Sequence, residues 1–435
     1  MTNLLAARTQ MAISLGFHIV FAEIGIGMPL MMVLAEWRGA RTGDRQYLEL
    51  ARRWAKGVAI LFAVGAVSGT VLSFELGLLW PGFMKFAGPV VGVPFSLEGF
   101  AFFTEAIFLG VYLYAWDRIS ARAHLLAGLI VAGSGAASAV FVVMVNAWMN
   151  TPTGVTMAGG TIAAVDPIAG MMSPAAFPQA LHMVLAAYAS TGLFVAGVHA
   201  YMLLRGAAPA FHRRALAIAL MVGAPAAVLQ PLSGDISARL VARTQPAKLA
   251  ALEGQFATER GAPLRIGGVP DEASATTRYA LEIPHGLSLL AYHAWDAEVK
   301  GLDAFPRDDW PPVAPVHVSF QVMVGLGTLM ALVALWAGWA AWRRRDLARE
   351  RALLVALAVT APFGFLATEV GWTVTELGRQ PWVVQGLLRT ADAVTPMPGL
   401  VVPLTVFTLL YVMLGAVVVA LMAAMVRETG GPESI

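Results

Sequence analysis

The chain alternates between long apolar stretches and short polar linkers. A helix needs roughly 20 mostly apolar residues to cross a bilayer. Nine runs meet that length or approach it, at about 11–35, 57–80, 94–116, 124–149, 180–204, 215–232, 316–342, 352–376 and 400–426; the sixth is the shortest. The runs are continuous rather than alternating, and too long for the strands of a membrane barrel, so the pattern predicts helices. The first run is too long for a cleavable signal peptide and contains His18 and Glu23. There is no tandem repeat, heptad array or low-complexity tract, and no segment between the runs is large enough for a separate globular domain. The expected fold is an all-α polytopic membrane protein, residues 1–435 forming one integral membrane domain.

The linkers set an orientation. Arg38, Arg41, Arg45, Arg52, Arg53 and Lys56 follow the first run; Arg118 and Arg122 follow the third; Arg205, Arg213 and Arg214 follow the fifth. Arg343, Arg344, Arg345, Arg349 and Arg351 follow the seventh, whereas the opposite short segments hold only Arg8, Lys85, Arg379 and Arg389. Basic short loops stay in the cytoplasm, so the N-terminus is expected in the periplasm and the C-terminus in the cytoplasm. Two outer linkers are long. Residues 150–179 carry Asp166 as their one charge, and residues 233–315 form the one sizeable hydrophilic segment.

Composition agrees with this reading and narrows the chemistry. Hydrophobic residues make up 58% of the chain and charged residues 13%, about half the usual charged share of a soluble domain. That excludes a water-soluble fold, and disorder with it. A net charge of +2 gives no footprint for nucleic acid; the partner the composition implies is the lipid bilayer. There is no cysteine, which removes disulfides, iron–sulfur clusters, covalent haem attachment and thiol catalysis. Any metal or cofactor has to be held by His, Met or carboxylate.

Charges inside a membrane are costly, so ionisable residues within the runs are site candidates. They are Glu23, Glu75, Glu98, Glu105, Glu369, Glu376, His18, His182 and His199. Taken singly, each is as well explained as a polar group satisfied between helices; His199, near the cytoplasmic end, fits that description best. Grouping separates the others. Glu98 and Glu105 are seven apart, two helical turns, and share a face; Glu369 and Glu376 repeat that spacing. With His18, His182 and Met323, they fall toward the outer half of the bilayer. His, Met and anionic oxygen all ligate haem iron: a His/Met pair makes a six-coordinate electron-transfer haem, and a single protein ligand leaves a position open for oxygen. Paired buried carboxylates suit proton delivery.

The segment Glu369-Val-Gly-Trp-Thr-Val-Thr-Glu-Leu-Gly-Arg-Gln-Pro-Trp382 ends a helix on a carboxylate and leaves it through Gly-Arg-Gln-Pro. Here the chain resembles subunit I of the cytochrome bd-type quinol oxidases. Further matches follow in order: Gly16-Phe17-His18, Leu97 to Glu105, Trp116-Asp117-Arg118, Val145-Asn146-Ala147-Trp148-Met149, Leu181-His182, Lys248 to Glu253, and Val322-Met323. The resemblance implies His182 and Met323 as axial ligands of a low-spin haem b. It implies His18 and Glu376 as ligands of two high-spin haems, a haem b and a haem d (or a third haem b), without saying which takes which. Glu98 and Glu105 would lie on the proton route or act as an auxiliary ligand, Arg379 would pair with a propionate or with Glu376, and Trp372 would be an electron-path or packing aromatic. Lys248 and Glu253 would form the quinol site in the outer loop, 233–315. The implied activity is quinol oxidation at the outer face and reduction of O2 to water, electrogenic without pumping. A homologous subunit II is the implied partner, and in many members a small single-span subunit.

In the loop, Thr244 is placed to cap and Pro246 to start a short helix whose Leu249, Leu252 and Phe256 would lie on the membrane surface. Lys248 and Glu253, about 140° apart around that helix, need not touch. Two departures stand out. The loop lacks a long insertion, as in the short-loop, cyanide-insensitive-like subgroup. Gln321 also stands where many members have Arg, two residues before the haem-ligating Met, and cannot offer a cation to a propionate. Other classes fit less well. A secondary transporter would show repeats and broken mid-membrane helices, and a haem-bearing quinol dehydrogenase subunit would leave His18 and Glu376 surplus.

Overall fold

The computed structural model describes residues 1–429. Among these residues, nine helical segments are long and apolar enough to cross a membrane. They are α1 (Asn3–Thr42), α2 (Arg45–Leu79), α3 (Pro81–Tyr114), α4 (Ala121–Asn150), α5 (Ala176–Leu204) and α6 (Pro209–Thr244), then, after a short α7 (Pro246–Glu253), α8 (Val313–Trp342), the pair α9 (Arg351–Thr360) and α10 (Phe363–Leu377), and α11 (Val401–Thr429). Local sequence sets their ends. Thr2, Asp44 and Ser120 each accept a hydrogen bond from a backbone N–H in the first turn they cap. Pro81, Pro209 and Pro246 start helices where an N–H has no partner to lose, and Gly43 closes α1 in the left-handed region at φ 72°.

The spans form two four-helix rings. In one, α1 packs on α2, α2 on α3, α3 on α4 and α4 on α1; in the other, α5 packs on α6, α6 on α8, α8 on α10 and α10 on α5. Contacts of α1 and α4 with α5 join the rings, and α11 lies against α1 and α2. Helix α5 is gripped at backbone distance. A Cβ on Gly192 would lie 2.5 Å from Gly223 Cα on α6, and one on Gly364 of α10 would lie 2.4 Å from Ser190 Cα. This close approach brings His182 within reach of α6 side chains.

The N-terminus and the long linkers share one end of the bundle. Asn3 bonds the Met397 carbonyl, Gln385 N–H reaches Met149 O, Thr395 N–H reaches Leu79 O, and Arg389 pairs with Asp309. At the opposite, arginine-rich end, Arg214 pairs with Asp44, Arg213 with Asp346 and Arg52 with Asp117. His199 lies toward this end, its Nδ1 2.8 Å from His212 Nδ1, a polar pairing between helices as its position suggested.

Several helices exceed their apolar runs, and two of these extensions bear on the site. α3 starts at Pro81 rather than near 94, because Lys85, Pro89 and several glycines dilute the hydropathy of a segment that is nevertheless helical. Glu98 therefore sits at the midpoint of α3, and Glu105 lies beyond it toward the arginine-rich end. α6 continues past 232 to Thr244 as a more polar extension, stitched by Asp235–Arg239 one turn apart. The segment read as loop from 233 thus opens with three helical turns. Thr244 is the last residue of α6 and donates to Leu240 O; it does not cap α7, whose N-cap position is Gln245.

Candidate functional site

His18 and His182 are held in the same way. His18 Nδ1 lies 3.0 Å from Ser68 Oγ, and His182 Nδ1 lies 2.9 Å from Ser233 Oγ. Each serine already donates to a carbonyl, Ser68 to Val64 and Gly65, Ser233 to Gln230. Only its lone pairs remain for the ring, so each imidazole carries its proton on Nδ1 and keeps the Nε2 lone pair. A glycine follows each serine and makes room: a Cβ on Gly69 would lie 3.0 Å from His18 Cε1, and one on Gly234 would lie 3.5 Å from His182 Cε1. A fixed Nδ1–H and a free Nε2 are what an iron ligand requires. Around His182, Gln230 Nε2 also approaches Nε2 at 3.2 Å and donates to the His182 carbonyl.

Met323 lies on α8, across the ring from His182 on α5. Its Sδ would stand 3.1 Å from a Cβ at Gly371 of α10, so this glycine leaves space beside the thioether. Trp372 follows Gly371 and is half-buried. One turn on, Glu376 binds two partners: Asn146 Nδ2 of α4 at 2.5 Å and Arg379 Nη2 at 2.5 Å. Arg379 is 2% exposed, and its Nε and Nη1 are buried without partners. A buried guanidinium with unused donors calls for a further anion. Glu369, the other carboxylate of the motif, faces the α1–α4 ring: its Oε2 would lie 3.0 Å from a Cβ at Gly16, and it neighbours Glu23, itself beside Thr368 and Ser190.

Glu98 and Glu105 share the face of α3 that meets α4. Glu98 accepts from Ser138 at 3.2 Å. Glu105 is 6% exposed and packs on Gly135, whose added Cβ would lie 3.1 Å from the carboxylate, while Gly25 of α1 approaches its other side. The small residues at 25 and 135 leave the carboxylate room between three helices. On α2, Glu75 Oε1 accepts from Gln10 and Ser14 at 2.9 Å each, while its Oε2 is buried without a protein partner.

α7 differs from its expected setting. Leu249, Leu252 and Phe256 are buried against other parts of the protein, not laid on a membrane surface. Lys248 and Glu253 are each 5% exposed and point to separate partners. Lys248 Nζ donates to Asn150 Oδ1 at 3.1 Å and to Thr375 O at 3.3 Å. Its stem lies over Gly378, where a Cβ would stand 2.9 Å from Lys248 Cε. Burial pulls the Lys248 ammonium down to about 7, with Arg379 adding to the effect and Glu376 opposing it. Burial raises the Glu253 carboxyl to about 7 against the pull of Arg265, and its Oε2 has no protein partner.

The structure joins groups that are far apart in sequence. Asn150 Nδ2 donates to Asn146 Oδ1 and O at 2.9 Å, so an unbroken hydrogen-bonded chain runs Lys248–Asn150–Asn146–Glu376–Arg379. Sequence reasoning quoted Asn146 within a motif without giving it a role. It passed over Asn150, Gln230, Ser68 and Ser233 altogether. The local signal was not selective: a Ser-Gly pair occurs in α2 and again in α6, the helices that face the two histidines, but also at Ser134-Gly135 of α4, where the glycine faces Glu105.

The comparisons with known proteins agree along the whole chain. The family model for cytochrome bd terminal oxidase subunit I matches residues 6–430. The "Putative cytochrome bd menaquinol oxidase subunit I" of Bacillus subtilis (strain 168) is 41% identical, with 96% of this chain and 95% of the relative covered. The cytochrome bd ubiquinol oxidase subunit 1 of the same organism is 32% identical, covering 98% and 94%. The solved bd oxidase from Geobacillus thermodenitrificans superposes with a TM-score of 0.92 at 39% identity, covering 98% of each chain. Family matches along 41%-identical sequence, on a nine-span fold shared with a solved bd oxidase, establish that this chain belongs to the cytochrome bd oxidase subunit I family, the haem-binding first subunits of quinol:oxygen oxidoreductases in the bacterial cytoplasmic membrane.

Proposed function

We propose that quinol is oxidised at the long-loop end of this subunit, beside Lys248 and Glu253, and that O2 is reduced to water at a high-spin di-haem site within the helices. The observation that carries the reading is the matched pair of Ser–His units, each holding its Nδ1 against a serine hydroxyl and turning Nε2 the other way, with Gln230 beside the Nε2 of His182, together with the unpaired donors of Arg379. These fit haem: an Nε2 lone pair would bind the iron, and a buried guanidinium with two unused N–H directions would suit a propionate. His182 and Met323 would hold a low-spin haem b. His18 and Glu376 would hold the two high-spin haems, a haem b and a haem d or third haem b. Bound there, the haems supply electron transfer and the iron that binds oxygen.

The residues of the chain do the remaining work. Lys248 offers an N–H to a quinol oxygen. Glu253, buried, with its carboxyl near neutrality, accepts a hydroxyl proton and can pass it to the loop surface. Each quinol gives up two electrons and two protons, and each O2 takes four of both to form two waters. Glu98 and Glu105 line up on one face of α3 to carry protons inward, and Trp372, next to Gly371 on α10, would be an electron-path or packing aromatic. The arginine-rich end would be cytoplasmic by the positive-inside rule, so protons leave on one side and enter from the other. That makes turnover electrogenic without a pump, worth about 2.3 kcal/mol per charge per 100 mV. Residues 233–315 would act as the quinol loop within a single membrane domain. The subunit would pair with a homologous subunit II and with a small single-span subunit. His182→Ala and Met323→Leu test the ligand pair. Loss of the low-spin haem signal and of quinol oxidation in both is expected; an unchanged spectrum in both rejects the assignment.

A further inference from the structure

Two side chains one turn apart on α8 grip the outer loop. His317 is fully buried, with Nδ1 2.7 Å from Leu252 O and Nε2 2.9 Å from Gly267 O. Whichever nitrogen carries the proton, the ring donates to a loop carbonyl. Gln321, at i+4 and so on the same face, makes a two-bond rung: Gly267 N–H donates to its Oε1 at 3.0 Å, and its Nε2 donates to Arg265 O at 3.0 Å. The gripped turn runs through Gly267 and Gly268, both at positive φ, which lets the backbone face the helix without a Cβ in between. Gly254, also at positive φ, ends α7 against the same ring, where a Cβ would stand 3.4 Å from His317 Nδ1.

What the grip holds is specific. Leu252 precedes Glu253, so its carbonyl fixes the end of α7 that carries the carboxylate. Arg265 is the cation that acts on Glu253, and its side chain is itself braced by Glu282 at 2.9 Å and by Gln255. His317 and Gln321 thus set Glu253 and its opposing cation in one frame, on the helix that carries Met323 two residues further on. The amide at 321 is spent on the loop backbone.

We infer that His317 and Gln321 are positioning residues for quinol oxidation: this clamp fixes the loop on α8 and so sets the shape of the quinol site. The inference rests on the assignment of Lys248 and Glu253 to that site. In the complete oxidase complex, His317→Leu and Gln321→Leu are expected to raise KM for a soluble quinol about tenfold while kcat stays within twofold. Oxygen consumption from a soluble donor that bypasses the quinol site, and the haem spectrum, should match the parent. Gln321→Asn keeps an amide one methylene short and should raise KM by a smaller factor, which covers the case of leucine variants that fail to assemble. Hydrogen exchange at the Gly267 amide should be faster in every clamp variant. Parental KM and parental Gly267 exchange in these variants, with Glu253→Gln disabling quinol oxidation, would overturn the clamp alone. Glu253→Gln with undiminished quinol oxidation would overturn the site reading on which it rests.

Discussion

Ser233→Ala tests the proposal that the α6 face prepares His182 as an iron ligand. The hydroxyl sits 2.9 Å from His182 Nδ1 and is itself anchored on Gln230 O at 2.8 Å. Alanine removes the acceptor and leaves a buried N–H without a partner, at a cost of about 1–3 kcal/mol. Shell partners of ligating histidines typically contribute 10- to 100-fold in affinity, and a factor of ten is about 1.4 kcal/mol, so the two scales agree. The expected outcome is about 10- to 100-fold faster loss of one haem to a scavenging apoprotein. The low-spin reduction potential should shift, and the other haem signals should be retained. Ser233→Thr, which keeps the hydroxyl, should restore retention; Ser68→Ala should weaken a different, high-spin component through His18. Ser233→Ala with parental haem retention and potential would refute the claim that the serine fixes the ring.

Three further outcomes follow from the geometry. Quinol oxidation should show a bell-shaped pH profile with both limbs near 7. Glu253 must lose its proton to act as base, so the rate falls as pH drops through about 7; Lys248 loses its charge as pH rises through about 7. Glu253→Gln should remove the acid limb and lower the rate by on the order of 100-fold, as read from quinol-dependent oxygen uptake. Glu105→Gln should slow oxygen reduction by a similar order while the haem spectrum persists; parental turnover would remove Glu105 from the proton route. Gly192→Ala should cost about 1–3 kcal/mol by overpacking, because its Cβ meets Gly223 Cα at 2.5 Å, and should lower the thermal inactivation temperature of the complex.

The spans were legible because hydrocarbon imposes one requirement, continuous apolar length, and the chain states it nine times. Facing relations within one helix were legible too: Glu98 with Glu105 follows from helical spacing alone, whereas Arg379 lies in the turn just past α10 and its pairing with Glu376 was one of two open choices. Relations between helices were not. Nothing in the local sequence says that Ser68 meets His18, or that Asn146 and Asn150 link Lys248 to Glu376, since those contacts depend on ring closure by α1–α4 and on α4 meeting α10. The start of α3 at Pro81 was hidden because its first turns hold prolines, glycines and Lys85, yet remain helical. α7 misled for a different reason. An apolar face on a short helix signals burial without naming what buries it, and here the outer loop, α6 and α8 do so rather than lipid.

In the absence of cysteine, iron in this subunit would have to be held by His, Met and Glu. The direct measurement is a reduced-minus-oxidised spectrum of the purified complex, with extraction and identification of its pigments. Low-spin b-type absorption together with high-spin components, the extract yielding haem d or a third haem b, is the predicted result. A complex containing a single haem, or none, would contradict it.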